Sequence, residues 1–224
     1  MKESEKEMTP VKLLFIGDSI TGGSDLKKYL KFSQIIDLML EAKLGARRVA
    51  VLNRGCGGDT TAKVLARLET DVLAERPDSV VLLIGGNDAA PEAIIPRETT
   101  AQNLEAILTA LAKVGSRVLL LQYHLLPNPE SPQTAWTHLT SNNELIAAIA
   151  AARRLPVLSM HPPMENALAT HTVAELVNPI DGVHLNPGGE LVYARTIFAR
   201  LMELQWLPTS ATIELDPSPL RTMP

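Results

Sequence analysis

The chain has 224 residues, 46% hydrophobic and 21% charged, which suits one globular domain with a sizeable core. A formal net charge of -4 gives no electrostatic reason to expect a nucleic-acid partner. The single cysteine, Cys56, rules out an intrachain disulfide.

The first ten residues, MKESEKEMTP, are charged and polar without an apolar h-region, and residues 1–10 are expected to be disordered or extended. No apolar run reaches the roughly 20 residues of a membrane helix, so the sequence predicts a cytoplasmic protein with no membrane partner. Five apolar runs then recur: VKLLFIG (11–17), RRVAVLN (47–53), SVVLLIGG (79–86), SRVLLLQYH (116–124) and LPVLSM (155–160). They are rich in Val, Leu and Ile without polar alternation, as in strands buried on both faces. Helical stretches are predicted at 32–44, 60–75, 98–114, 136–153 and 188–205. In the third, Leu104, Ile107, Leu108 and Leu111 share a helical face and Gly115 is a fitting stop. This alternation predicts an α/β fold, a five-stranded parallel sheet with helices on both faces. The folded domain is expected to span 11–206, followed by a tail, 207–224, rich in Pro, Ser and Thr.

Open parallel sheets bind ligands at the carboxyl ends of their strands. There the chain places Gly17-Asp18-Ser19, then NRGCGGDTT (53–61), GGND (85–88) and a Pro-rich segment at 122–136. After the fifth strand and a long loop comes NPIDGVHLNPGG (178–189). Acyl transfer to a serine needs an attacking hydroxyl, an imidazole base, an orienting carboxylate and oxyanion donors. Ser19 supplies a hydroxyl, His184 an imidazole and Asp181 a carboxylate three residues away, with Gly182 able to fold the turn back. The Ser19 and Gly58 amides and the Asn87 side chain are candidate oxyanion donors. Ser19 lacks the G-x-S-x-G elbow, since Thr21 stands at the second glycine, which argues against an α/β-hydrolase fold.

Four segments resemble, in order, the motifs of the GDSL or SGNH hydrolase superfamily: GDSI (17–20), NRGCGGDTTAKVLARL (53–68), GGND (85–88) and DGVH (181–184). Ile20 stands where the family name has Leu. The resemblance runs from about Lys12 to Leu204. It implies a flavodoxin-like three-layer α/β/α sandwich, the SGNH hydrolase fold. It further implies hydrolysis of a small-molecule ester or thioester without metal or organic cofactor, with Ser19, His184 and Asp181 as catalytic triad and Ser19, Gly58 and Asn87 as oxyanion hole. The second segment looks like the platelet-activating-factor-acetylhydrolase-like and bacterial short-chain esterase branches; the thioesterase/lysophospholipase branch is also similar.

Aromatic content of only 4% and the lack of a long apolar lid favour a short, acetyl-like acyl group. The alternatives are a lysophospholipase or thioesterase of the same fold, or a non-catalytic doubly wound ligand-binding protein, prompted by GCGGDT (55–60). Against the latter, Thr60 occupies the last glycine of G-x-G-x-x-G. Asp18 and Asp88 are expected to hold loops, Asp59 to cap the following helix, Asn186-Pro187 to start the last one, and Cys56 to pack beside the pocket. His124, His138, His161 and His171 lack metal spacing, and no metal is expected. His124 and Trp136 are candidate pocket walls. Homodimerisation through the tail is an expectation tied to no motif.

Overall fold

Five apolar runs become five strands: β1 (Val11–Gly17), β2 (Val49–Asn53), β3 (Ser79–Leu83), β4 (Arg117–Gln122) and β5 (Val157–Ser159). A computed structural model describes residues 9–22, 29–90, 95–126 and 134–208, with side chains from residue 138 onward in the last segment. The expectations for residues 1–8, for the tail from 209 and for the Trp136 side chain lie outside the described residues. The strands form one parallel sheet in the order β2-β1-β3-β4-β5. Leu13, Leu14, Phe15 and Ile16 of β1 are consecutive and all buried, because helices cover both faces of the sheet.

The helices are α1 (Ser19–Gly22), α2 (Phe32–Leu44), α3 (Thr61–Asp71), α4 (Arg97–Lys113), α5 (Thr134–Arg153), α6 (His161–Ala167), α7 (Val173–Leu176) and α8 (Pro187–Glu203). α2 packs on α8, which also carries α6 and α7, while α3, α4 and α5 pack in series as the other layer. Leu104, Ile107, Leu108 and Leu111 are the buried stripe of α4, and Gly115 follows it with φ +80°.

Some boundaries differ from the sequence reading. The helix expected over 60–75 ends at Asp71, and a 3₁₀ turn over Leu73–Glu75 follows, because Val72 and Arg76 leave helical geometry. The strand expected over 79–86 stops at Leu83, and the chain turns at Gly85, φ +104°. The long loop before α8 contains two short helices. The second carries a capping box in which Thr172 and Glu175 bond each other's backbone amides. Leu207 is buried, so the core reaches one residue past 206. Among the described residues no helix is long and apolar enough to cross a membrane.

The strand order places the topological switch point between β1 and β3, whose connections leave in opposite directions. The loops beyond these two strands carry Ser19 and Asn87.

Candidate active site

Ser19 opens α1 directly beyond β1. Asn53, at the end of β2, braces this corner: its amide donates to the Thr21 carbonyl and to Ser33 Oγ, both at 2.8 Å, and its Oδ1 accepts the Gly55 N–H at 2.9 Å. The Gly22 and Gly55 backbones approach so closely that a Cβ on either would collide with the other.

His184 reaches Ser19 from the turn between α7 and α8. Its Nε2 lies 2.7 Å from Ser19 Oγ, and its Nδ1 lies 3.0 Å from Asp181 Oδ2. The i, i+3 spacing works because Gly182 takes φ +69° and folds the turn back. Asp181 Oδ1 accepts the Val183 and His184 N–H groups, each at 2.8 Å, and Asn178 Nδ2 donates to Oδ2 at 2.9 Å. Burial opposes ionisation of Asp181, but the two amides and the imidazole together outweigh it and hold its carboxyl below the usual range. Asn178 also ties the turn through backbone bonds, its N–H to the His184 carbonyl and its carbonyl to the Gly182 N–H, both 2.7 Å. Asn186 caps α8 ahead of Pro187, but its side chain donates across the turn to the Ala174 and Val177 carbonyls.

Asn87 sits beyond β3, and its Nδ2 donates to the Asp59 carbonyl at 2.8 Å. An amide nitrogen carries two protons, so the second is available to a ligand. The cap of α3 differs from the sequence reading: Thr60 accepts from the Lys63 N–H, whereas Asp59 pairs with Arg67 at 2.8 Å. Arg67 also donates to the Arg54 carbonyl at 2.6 Å, clamping both ends of the loop that carries Gly58. Asp88 holds its loop as expected, accepting from the Thr61 N–H and from the Thr61 and Thr100 hydroxyls.

A cavity of about 290 Å³ opens on this edge, with Ser19, Asn87, Asp181 and His184 in its wall. Ile20, Ala90, Leu139 and Val183 supply its apolar surface, and Asp18, Gly86, Tyr123 and His138 complete it. Four of the five candidate residues therefore line one cavity. Gly58 is not in its wall; it lies on an exposed turn with φ +73°, next to Gly57, which borders Ser19. Cys56 is exposed on the same turn and does not pack beside the pocket. His124 is buried and does not line the cavity, its Nδ1 2.7 Å from the Tyr193 hydroxyl. Sequence reasoning missed Tyr123, Leu139 and Asn178. His138 was noted only for its lack of metal spacing. Among the described residues no cluster of three or more His, Cys, Asp or Glu is placed to hold a metal.

The profile of the GDSL-like lipase/acylhydrolase family matches residues 15–191. The chain belongs to that family. This GDSL-like chain is 26% identical over 214 residues to an acetylxylan esterase of Geobacillus stearothermophilus, covering 88% of this chain and 95% of that protein. It is 30% identical to an arylesterase of Vibrio mimicus over 52% of its own length and 56% of the relative's. A crystal structure of the Geobacillus acetylxylan esterase superposes with a TM-score of 0.73 at 23% identity, covering 90% of this chain and 99% of that one. A hydrolase from the Lake Arreo metagenome superposes at 0.70 and 23% identity, over 84% of this chain and 94% of that one. The five-stranded sheet is thus that of the SGNH hydrolases, and the chain is a carboxylic ester hydrolase.

Proposed function

We propose that the chain hydrolyses short-chain, acetyl-like carboxylic esters through an acyl-enzyme on Ser19. The observation that carries this reading is the chain of contacts from Asp181 through His184 to Ser19 Oγ, opening on a cavity that Asn87 also lines. His184 Nε2 takes the Ser19 proton as Oγ attacks the ester carbonyl. Asp181 holds the Nδ1–H tautomer and stabilises the imidazolium. The Ser19 amide and the Asn87 side chain stabilise the oxyanion from the cavity wall, and the Gly58 amide does so from the turn that Gly57 sets against Ser19. His184 then protonates the departing alkoxide, and a water activated by the same imidazole cleaves the acyl-enzyme. Neither step needs a metal or organic cofactor. The volume of about 290 Å³ lies at the lower limit of the roughly 300–1,000 Å³ of small-molecule sites and supports a small substrate.

Hydrolysis of p-nitrophenyl esters from acetate to palmitate by wild type and Ser19→Ala tests this. A maximum at acetate or butyrate, with kcat reduced about a million-fold in folded Ser19→Ala, supports it. A maximum at long chains replaces it with the lysophospholipase or thioesterase reading. Wild-type rates in Ser19→Ala would sink the nucleophile assignment, and inactivity on every chain would favour the ligand-binding alternative.

A further inference from the structure

Two candidate oxyanion donors stand on different loops: the Ser19 amide beyond β1 and the Asn87 side chain beyond β3. A hole of preorganised donors works only if their separation is held before substrate arrives. The side chain that spans the two loops comes from a third strand. The Tyr123 hydroxyl, just beyond β4, lies 2.5 Å from Asp18 Oδ2 and 3.0 Å from the Gly86 amide nitrogen. Asp18 and Gly86 are the residues immediately before Ser19 and Asn87.

We propose that Tyr123 is a positioning residue for this reaction, its hydroxyl pinning the Ser19 and Asn87 loops at the separation the oxyanion requires. The inference rests on the catalytic reading above. The direction of each bond follows from the groups present. An amide N–H only donates, so the hydroxyl accepts from Gly86 and has one proton left to give, which goes to Asp18. Asp18 Oδ1 already accepts the Ile20 N–H at 2.9 Å, so the carboxylate receives on both oxygens and the network requires it ionised. Tyr123 is itself fixed. Asn143 Oδ1 accepts its N–H at 2.7 Å and Asn143 Nδ2 donates to its carbonyl at 2.9 Å. A Cβ on Gly86 would come within 3.0 Å of the ring, so the loop before Asn87 packs closely against it. The residue is 1% exposed.

The ionisable groups facing Asp18 are Tyr123 from the β4 end, His184 from the turn before α8 and Asp59 from the β2 end. Burial raises the Asp18 carboxyl to about 6, and the Tyr123 hydrogen bond opposes that rise. Removing the hydroxyl therefore pushes the Asp18 carboxyl further up.

The test compares Tyr123→Phe with wild type on p-nitrophenyl acetate, with Ser19→Ala assayed in parallel. The expected result is a kcat lower by roughly 10- to 100-fold with KM within about twofold, as for lost transition-state positioning. The acid limb of the kcat profile should also move to higher pH. A residue that only supported the fold would lower the melting temperature and leave both kcat per folded molecule and the acid limb in place. That outcome overturns the proposal. Should Tyr123→Phe fail to fold, Asp18→Asn takes its place, because its amide turns a donor toward the hydroxyl; wild-type kcat in folded Asp18→Asn would equally overturn it. If Ser19→Ala retains activity, the catalytic reading itself fails; if Ser19→Ala is inactive while Tyr123→Phe is fully active, only the present inference fails.

Discussion

Asp18 and His124 are both buried, and they pull stability in opposite directions with pH. Burial lifts the Asp18 carboxyl from 3.8 to about 6, so near pH 5 the native chain holds a proton there that the unfolded chain has lost. This group therefore erodes stability as pH rises through that window, by roughly 3 kcal/mol at pH 7. Burial lowers the His124 imidazole from 6.5 to about 4, with His161 adding to it. There the unfolded chain binds the extra proton, so stability rises with pH over nearly the same window. The two effects oppose each other in the wild type. As pH rises from about 4 to 6, we expect the stability of His124→Phe to fall relative to wild type and that of Asp18→Asn to rise. Urea unfolding at several pH values measures both slopes; slopes parallel to wild type in either variant would refute the assignment. At this scale the candidate site was largely legible, since Ser19, Asn87, Asp181 and His184 stand in short motifs at strand or turn ends. Tyr123 was not: its bond to Asp18 crosses 105 residues of chain, and no local spacing marks it.

α2 and α8 are joined by a buried ion pair. Lys31 is 5% exposed and Glu190 fully buried, and Glu190 also accepts the Phe32 N–H at 2.7 Å. Each side chain compensates the other's desolvation, so removing one leaves a stranded charge. Glu190→Ala is expected to destabilise the fold by about 3–5 kcal/mol. Lys31→Met/Glu190→Leu should recover most of that loss, because an apolar pair needs no desolvation. Equal midpoints for single and double variants in guanidinium unfolding would show that the pair is not the cause. In the sequence Glu190 reads as an ordinary acidic residue of a first helical turn, favoured there by the helix dipole. Its partner lies 159 residues away and leaves no trace in the α8 pattern. The short helices before α8 were hidden for another reason. α6 and α7 have seven and four residues, too few to develop a hydrophobic period, although the Thr172–Glu175 capping box was there to be read.

At the scale of the whole molecule, β1 and β3 lie at the centre of the sheet, and β2 and β5 form its edges. β1 and β3 are paired on both sides, and residues 13–16 and 80–83 are fully buried, whereas Ala50–Asn53 of β2 are only half-buried. Amide hydrogen exchange should therefore be slowest in β1 and β3 and faster in β2, because the edge opens without breaking the core. Exchange in residues 49–53 as slow as in β1 would contradict this. The sequence alone determined the class of fold, since runs of Val, Leu and Ile that lack polar alternation bury both faces of a strand only in a helix-covered parallel sheet. It also determined the family, through four motifs in order and at strand or turn ends. The two buried titratable groups, the Lys31–Glu190 pair and the Tyr123 hydroxyl between two loops were decided only by tertiary structure. The reason is physical. Periodicity and turn chemistry record what a residue does with its near neighbours. Pairings between distant segments depend on which surfaces the packed sheet brings together.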